Sequence, residues 1–131
     1  MQPSPYQSID PQVLLKAVGG DLDAFRSMTE TYLRIAPPML ARLQQAAAAG
    51  DGAAVTRESH ALKGTTALVG AARLTQQLAQ IESLARSAAL ELLPALLSAL
   101  EPEFRHVMQE VAASIADIQD GAPQHEQERR R

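Results

Sequence analysis

The sequence predicts an all-α fold, an antiparallel bundle of helices with Leu and Ala inside. Three observations lead there. Apolar residues recur at helical spacing in several segments, and none alternates with period two for long enough to form a strand. Short turns bearing Gly or Pro separate those segments. Only 3% of the residues are aromatic while 46% are hydrophobic, so small aliphatic side chains must fill the core, which suits packed helices better than a sandwich or barrel.

The elements follow in chain order. Residues 1–9 are polar and contain Pro, and are expected to be a disordered lead-in. Asp10-Pro11 starts a short helix, with Asp as cap and Pro at the first helical position, and Gly19-Gly20 stops it. Asp21 caps a second helix whose buried stripe is expected to hold Leu22, Phe25, Met28, Thr29 and Leu33. Pro37-Pro38 is expected to break or kink it near Ile35 or Ala36, before the pattern resumes through Met39, Leu40 and Leu43. A turn at Gly50-Asp51-Gly52 leads into a third long helix ending near Leu68 or Val69. Gly70 connects it to a fourth, about Ala71 to Ala88, with Leu74, Leu78, Ile81 and Ala85 on one face. The fifth runs from about Leu90 or Leu92 to Ile118, with Pro94 in its first turn, Pro102 as a kink, and Gly121 and Pro123 as its end. The folded domain is thus expected over 10–119, with 120–131 as a disordered charged tail.

Composition narrows the functional classes. The net charge of −3 argues against a nucleic-acid binder, which needs a basic face. The absence of Cys removes disulfides and thiolate metal sites, and fits a reducing compartment. No apolar run approaches the ~20 residues that span a bilayer, and the N-terminus lacks a secretory signal, so a cytoplasmic protein without direct membrane contact is expected.

The informative segment is Val55 to Leu74. Val55, Ser59, Leu62, Thr66 and Val69 stay within roughly 40° of one direction on a helical wheel, making the core-facing stripe. His60 then points about 140° away, Arg57 about 160°, Gly64 about 180° and Lys63 about 80°. A histidine therefore stands on the outer face, with Gly one turn ahead, Arg one turn behind and Lys at its flank. A glycine inside a helix costs about 1 kcal/mol relative to Ala. Close approach of another protein to the imidazole would offset that cost; an early helix end at Gly64 is the plainer alternative. An exposed imidazole ordinarily titrates near ~6.5, so at neutral pH it keeps a nucleophilic lone pair. The positive charges of Lys63 and Arg57 favour the neutral ring and an added phosphoryl group.

At these residues the chain resembles the histidine-containing phosphotransfer (HPt) domains of multistep phosphorelays. Their pattern is met by His60, Leu62, Lys63, Gly64, Val69, Gly70, Ala71 and Leu74, and the resemblance covers about residues 10–118. Ser59 stands where many members have Ala, a mild departure, since a serine hydroxyl can bond back to the helix. The resemblance implies a four-helix bundle with a short additional N-terminal helix. It implies that His60 accepts a phosphoryl group from a receiver-domain aspartate and passes it to a response-regulator aspartate. Lys63 would orient or neutralise the phosphoryl oxygens, and Gly64 would give access. Glu82, where many relatives have Gln, lies on the next helix within reach of the imidazole, although an ionised Glu cannot donate to phosphate. Arg57, Lys63, Gly64 and Ala67 would meet the partner. The domain would need no cofactor or metal of its own, Mg²⁺ being supplied by the receiver. It would lack kinase activity, and a monomer is expected, either free-standing or as the C-terminal part of a hybrid sensor kinase. A kinase ATP-binding domain acting directly on the histidine, as in chemotaxis-type kinases, is a variant of this reading.

Other classes fit less well. No acid sits at a catalytic spacing from His60, no nucleophile elbow is present, and Lys63-Gly64-Thr65 lacks the upstream Gly of a phosphate loop. His60, His106 and His125 are too far apart to form a recognisable metal motif. A helical adaptor that binds signalling partners through the same face, without chemistry, is the strongest rival.

Overall fold

The computed structural model describes residues 5–130, with side chains described through Ile118. Five α-helices are present: α1 (Pro11–Ala17), α2 (Leu22–Ala48), α3 (Gly52–Leu68), α4 (Ala72–Arg86) and α5 (Leu93–Arg130), the last preceded by a 3₁₀ turn at Leu90–Leu92. Helices α2 to α5 pack in a ring, each against the next and α5 back against α2, while α1 lies on α2. This is the expected four-helix bundle with a short N-terminal helix. No described helix is long and apolar enough to cross a membrane.

The starts of α1, α2 and α3 follow from capping. Asp10, Asp21 and Asp51 each accept a hydrogen bond from a first-turn N–H, those of Gln12, Ala24 and Ala54. The α3 stripe is buried as its spacing predicts: Val55, Ser59, Leu62 and Thr66 are fully enclosed and Val69 nearly so. They meet Leu74, Leu78 and Ile81 of α4 in a core completed by Phe25, Leu43, Leu100, Val107 and Val111. Each such aliphatic or aromatic side chain contributes roughly 1.5–3 kcal/mol by leaving water. The two hydroxyls in the stripe are satisfied at close range. Ser59 donates to the Val55 carbonyl at 2.6 Å, and Thr66 shares a 2.8 Å bond with Thr75 of α4.

Four sequence expectations change. First, of the expected break or kink at Pro37-Pro38 the break does not occur, because both prolines lie inside one continuous helix. Proline removes two helical N–H donors there, but Ala36, Leu40 and Leu43 are buried on either side and hold the turn in place. Second, the α2 stripe is Phe25, Thr29, Tyr32, Ala36, Leu40 and Leu43, which leaves Leu22 and Met28 exposed and Leu33 only half-buried. Third, the segment before α1 is packed from Tyr6 onward. Ser8 and Ile9 are buried, the N–H groups of Gln7, Ser8 and Ile9 donate to the Glu110 carboxylate of α5, and the Tyr6 hydroxyl bonds Asp117. One carboxylate satisfying three backbone donors offsets the entropy of ordering that segment. Fourth, Gly121 and Pro123, expected to end the last helix, do not: the α5 backbone stays helical to Arg130, and the side chains of the expected tail lie outside the described residues.

Gly70 joins the two halves of the site region. Its φ is +74°, a conformation most side chains avoid, and a Cβ there would fall 2.3 Å from the Asp10 carbonyl oxygen. Asp10 N–H donates to the Gly70 carbonyl at 3.0 Å, so the α3–α4 corner is pinned to the start of α1. Gly70→Ala is expected to destabilise the domain by at least about 1–3 kcal/mol through backbone strain alone, measurable as a lowered urea midpoint with an unchanged slope.

Candidate functional site

The site lies where α3 and α4 run side by side. The buried stripe of α3 faces the core, so the same helix turns His60 outward, with 65% of its side chain exposed. Lys63 is half-buried, while Arg57, Gly64 and Ala67 are exposed on the same side of α3. Sequence periodicity thus placed His60, Arg57, Lys63 and Gly64 where the structure has them, and Ala67 lies beside them. A Cβ built on Gly64 would meet no neighbouring atom within 4 Å among the described residues, so packing there does not require glycine.

Glu82 enters from α4 and organises the centre. Its side chain is only 3% exposed, yet it is met by three donors. His60 Nδ1 lies 2.9 Å from Oε2, Lys63 Nζ 2.7 Å from Oε1, and Arg86 Nη2 2.6 Å from Oε2. The Lys63 hydrogen bond, aided by His60 and by the charges of Lys63 and Arg86, holds the Glu82 carboxyl below the usual carboxylate range against the opposing effect of burial. The group is therefore ionised at neutral pH and can only accept. A neutral ring facing it must carry its proton on Nδ1, which leaves the Nε2 lone pair available. Two cations around one anion leave the cluster with one net positive charge beside an exposed nucleophile. That arrangement suits an incoming anionic group.

Stability should depend on pH through Glu82. Its folded-state pKa is depressed, so its contribution is present above the unfolded value and is lost as pH falls through the folded one. The wild-type advantage over Glu82→Gln in thermal midpoint is expected at neutral pH and to shrink on acidification below about pH 4.3.

Arg86 escapes the reading of the His60 motif, although its i,i+4 spacing from Glu82 is a legible signal. Arg57 does not reach Glu82; it lies 3.7 Å from Glu58, which also holds Arg42 at 3.4 Å. Beside Gly64, on the α2 side, lies a groove of about 270 Å³ whose lining includes Met28, Tyr32, Ile35, Ala61, Gly64 and Leu68. Met28, Ile35 and Leu68 are each more than a third exposed. These apolar residues lie outside the buried stripe, a departure that becomes readable once α2 is taken as one helix. His106 is exposed on α5, and His125 falls outside the described side chains. Among the described residues, no group of three or more His, Asp or Glu is arranged to hold a metal ion.

Comparison with known proteins identifies the family. The Hpt domain family matches residues 27–124. Among solved structures, the chain is similar to histidine-containing phosphotransfer protein B (HptB) from Pseudomonas aeruginosa PAO1, with a TM-score of 0.78, 26% identity, and coverage of 87% of this chain and 97% of that one. No curated protein matched in the sequence comparison. A matched span from α2 into α5, on an all-helical bundle that presents a histidine, shows that this chain belongs to the Hpt domain family and is a histidine phosphotransfer module of a phosphorelay.

Proposed function

We propose that His60 is the phosphoacceptor and that it reacts at Nε2. The observation that carries this is the bond from His60 Nδ1 to the buried Glu82 carboxylate, which directs the remaining lone pair outward beside Gly64. The donor is an aspartyl phosphate on a receiver domain. Nε2 attacks phosphorus, the N–P bond forms, the P–O bond breaks, and the aspartate leaves with the electron pair. The reverse step delivers the group to an aspartate on a response regulator. Little covalent chemistry is asked of either protein, so in-line positioning and charge neutralisation dominate. Lys63 stands one turn from His60 and can exchange its contact with Glu82 for a phosphoryl oxygen. Mg²⁺ comes with the receiver, and the chain acts as a cytoplasmic monomeric carrier without kinase activity of its own.

The receiver docks over His60, with Gly64 and Ala67 as the low ground. The groove beside Gly64 extends that surface, and its exposed Met28, Ile35 and Leu68 supply apolar contact area. Arg57 and Lys63 complement the receiver's acidic pocket and speed encounter.

The test mixes the protein with phosphorylated receivers and follows acid-labile, base-stable phosphate on this chain. Transfer to wild type and none to His60→Gln is expected. Transfer that persists in His60→Gln would refute the assignment. Stable binding of receivers with no transfer to wild type would make the domain an adaptor instead.

A further inference from the structure

We propose that Glu82 keeps a proton on His60 Nδ1 throughout the transfer cycle. The phosphoryl group then rides on a phosphoimidazolium ring, and Glu82 sets how readily it leaves. This rests on His60 being the carrier, and it adds a positioning role that controls the lifetime of the phosphorylated state.

The electron balance shows what is at stake. When the Nε2 lone pair forms the N–P bond, the ring bears phosphorus on one nitrogen and hydrogen on the other, and is formally cationic. If Nδ1 then gives its proton to water, the ring becomes neutral. Breaking the N–P bond would then expel imidazolate, the anion of a very weak acid and a poor leaving group. If the proton stays, the electron pair returns to Nε2 and a neutral imidazole departs. The second route moves no proton in either direction. An imidazolium in water loses its proton near pH ~6.5, so an unsupported ring would spend much of its time in the less reactive form.

Glu82 is built to prevent that loss. Its Oε2 accepts from Nδ1 at 2.9 Å, at the edge of a carboxylate that is almost fully enclosed. An anion at hydrogen-bond distance favours the protonated ring, and the enclosure strengthens the attraction. The charged groups bonded to Glu82 are Lys63, from α3, and Arg86, from its own helix. On α5, Glu101 is engaged with Gln44 and Glu103 with Arg73. Lys63 and Arg86 oppose the ring cation in the unphosphorylated state. Once the phosphoryl group is present, its oxygens compete for these same cations. Each cation that turns toward them leaves more of the Glu82 charge to Nδ1, so phosphorylation tightens the bond that protects the proton. A Gln at position 82 would accept from Nδ1 through its amide oxygen but would bring no charge.

Phosphoramidate, a small-molecule phosphoryl donor, loads exposed imidazole without any receiver and is the probe for the test. The ¹⁵N resonances of the phosphorylated ring, assigned to His60 by their loss in His60→Gln, are titrated between about pH 5 and 10. Phosphoryl loss is followed over the same range. In wild type the Nδ1 proton is expected to persist to a pH at least about one unit above that of free phosphohistidine, equivalent to a tenfold preference for the protonated ring. Glu82→Gln is expected to lower the midpoint by about one unit and to lengthen the phosphohistidine half-life several-fold at mildly alkaline pH. Arg86→Ala, which removes a competing cation, is expected to shift the midpoint upward. A wild-type midpoint no higher than that of free phosphohistidine overturns the proposal, as does an equal midpoint in a folded Glu82→Gln variant. Failure of receivers to phosphorylate His60 would reject the carrier assignment while leaving this titration readable, so the two failures are distinct.

Discussion

His60→Gln is expected to lower phosphoryl transfer by at least ~10³-fold, the scale on which removing a nucleophile acts, while the bundle stays folded. The two halves of that expectation have separate causes. The lost Nε2 lone pair has no substitute within reach, because the remaining groups of the cluster are two cations and an ionised carboxylate whose oxygens are already bonded. The fold is spared because the His60 side chain is largely in solvent and makes one hydrogen bond to Glu82. A glutamine amide can replace that donor, so the stability cost is expected to stay within about 0.5–1.5 kcal/mol, the net worth of one hydrogen bond. Radiolabelled transfer from a phosphorylated receiver and a thermal melt on the same preparation check both halves. Full transfer by a folded variant would remove His60 from the mechanism.

Gly64→Gln is expected to move stability and transfer in opposite directions. A Cβ at this position meets no neighbouring atom within 4 Å among the described residues, and replacing glycine in a helix interior gains up to about 1 kcal/mol of propensity. The thermal midpoint should therefore hold or rise slightly. Transfer should fall by about 10²-fold, the cost of displacing reacting groups by about 1 Å, because the new side chain stands between His60 and the docking receiver. Gly64→Ala should show the same signs with a smaller loss. A purely structural role for Gly64 predicts the reverse, lower stability with transfer intact, so a melt and a transfer assay on one variant discriminate. Loading by phosphoramidate should remain close to wild type in both variants, since a small donor does not need the cleared surface.

Much of the site could be read locally. The direction of a side chain on a helix depends on 3.6-residue periodicity, which is a property of neighbouring positions. The run Val55, Ser59, Leu62, Thr66, Val69 therefore set which way His60, Lys63, Gly64 and Arg57 would point, and the structure has them so. Caps at Asp10 and Asp21 were equally local, whereas Asp51, read as part of a turn, proved to be the cap of α3. The misreading of α2 shows where that logic ends. The prolines carry a real local penalty, but whether a helix survives it depends on what the turns on either side bury. Here Ala36, Leu40 and Leu43 are buried against the rest of the bundle, the helix continues, and the apolar residues left over, Met28 and Ile35, become surface in the groove that Gly64 also lines.

Taken alone, the amino-acid order determined an all-helical bundle, the outward histidine and the open ground at Gly64, because each follows from spacing within one helix. Only the tertiary structure decided that Glu82 would be enclosed, that Lys63 and Arg86 would share it with His60, and that residues 6–9 would close onto Glu110 and Asp117. Those features join residues from 4 to 111 positions apart. The burial that makes a carboxylate worth pairing exists only after α3 and α4 have packed, so sequence spacing could bring Glu82 near the ring but could not give it three partners.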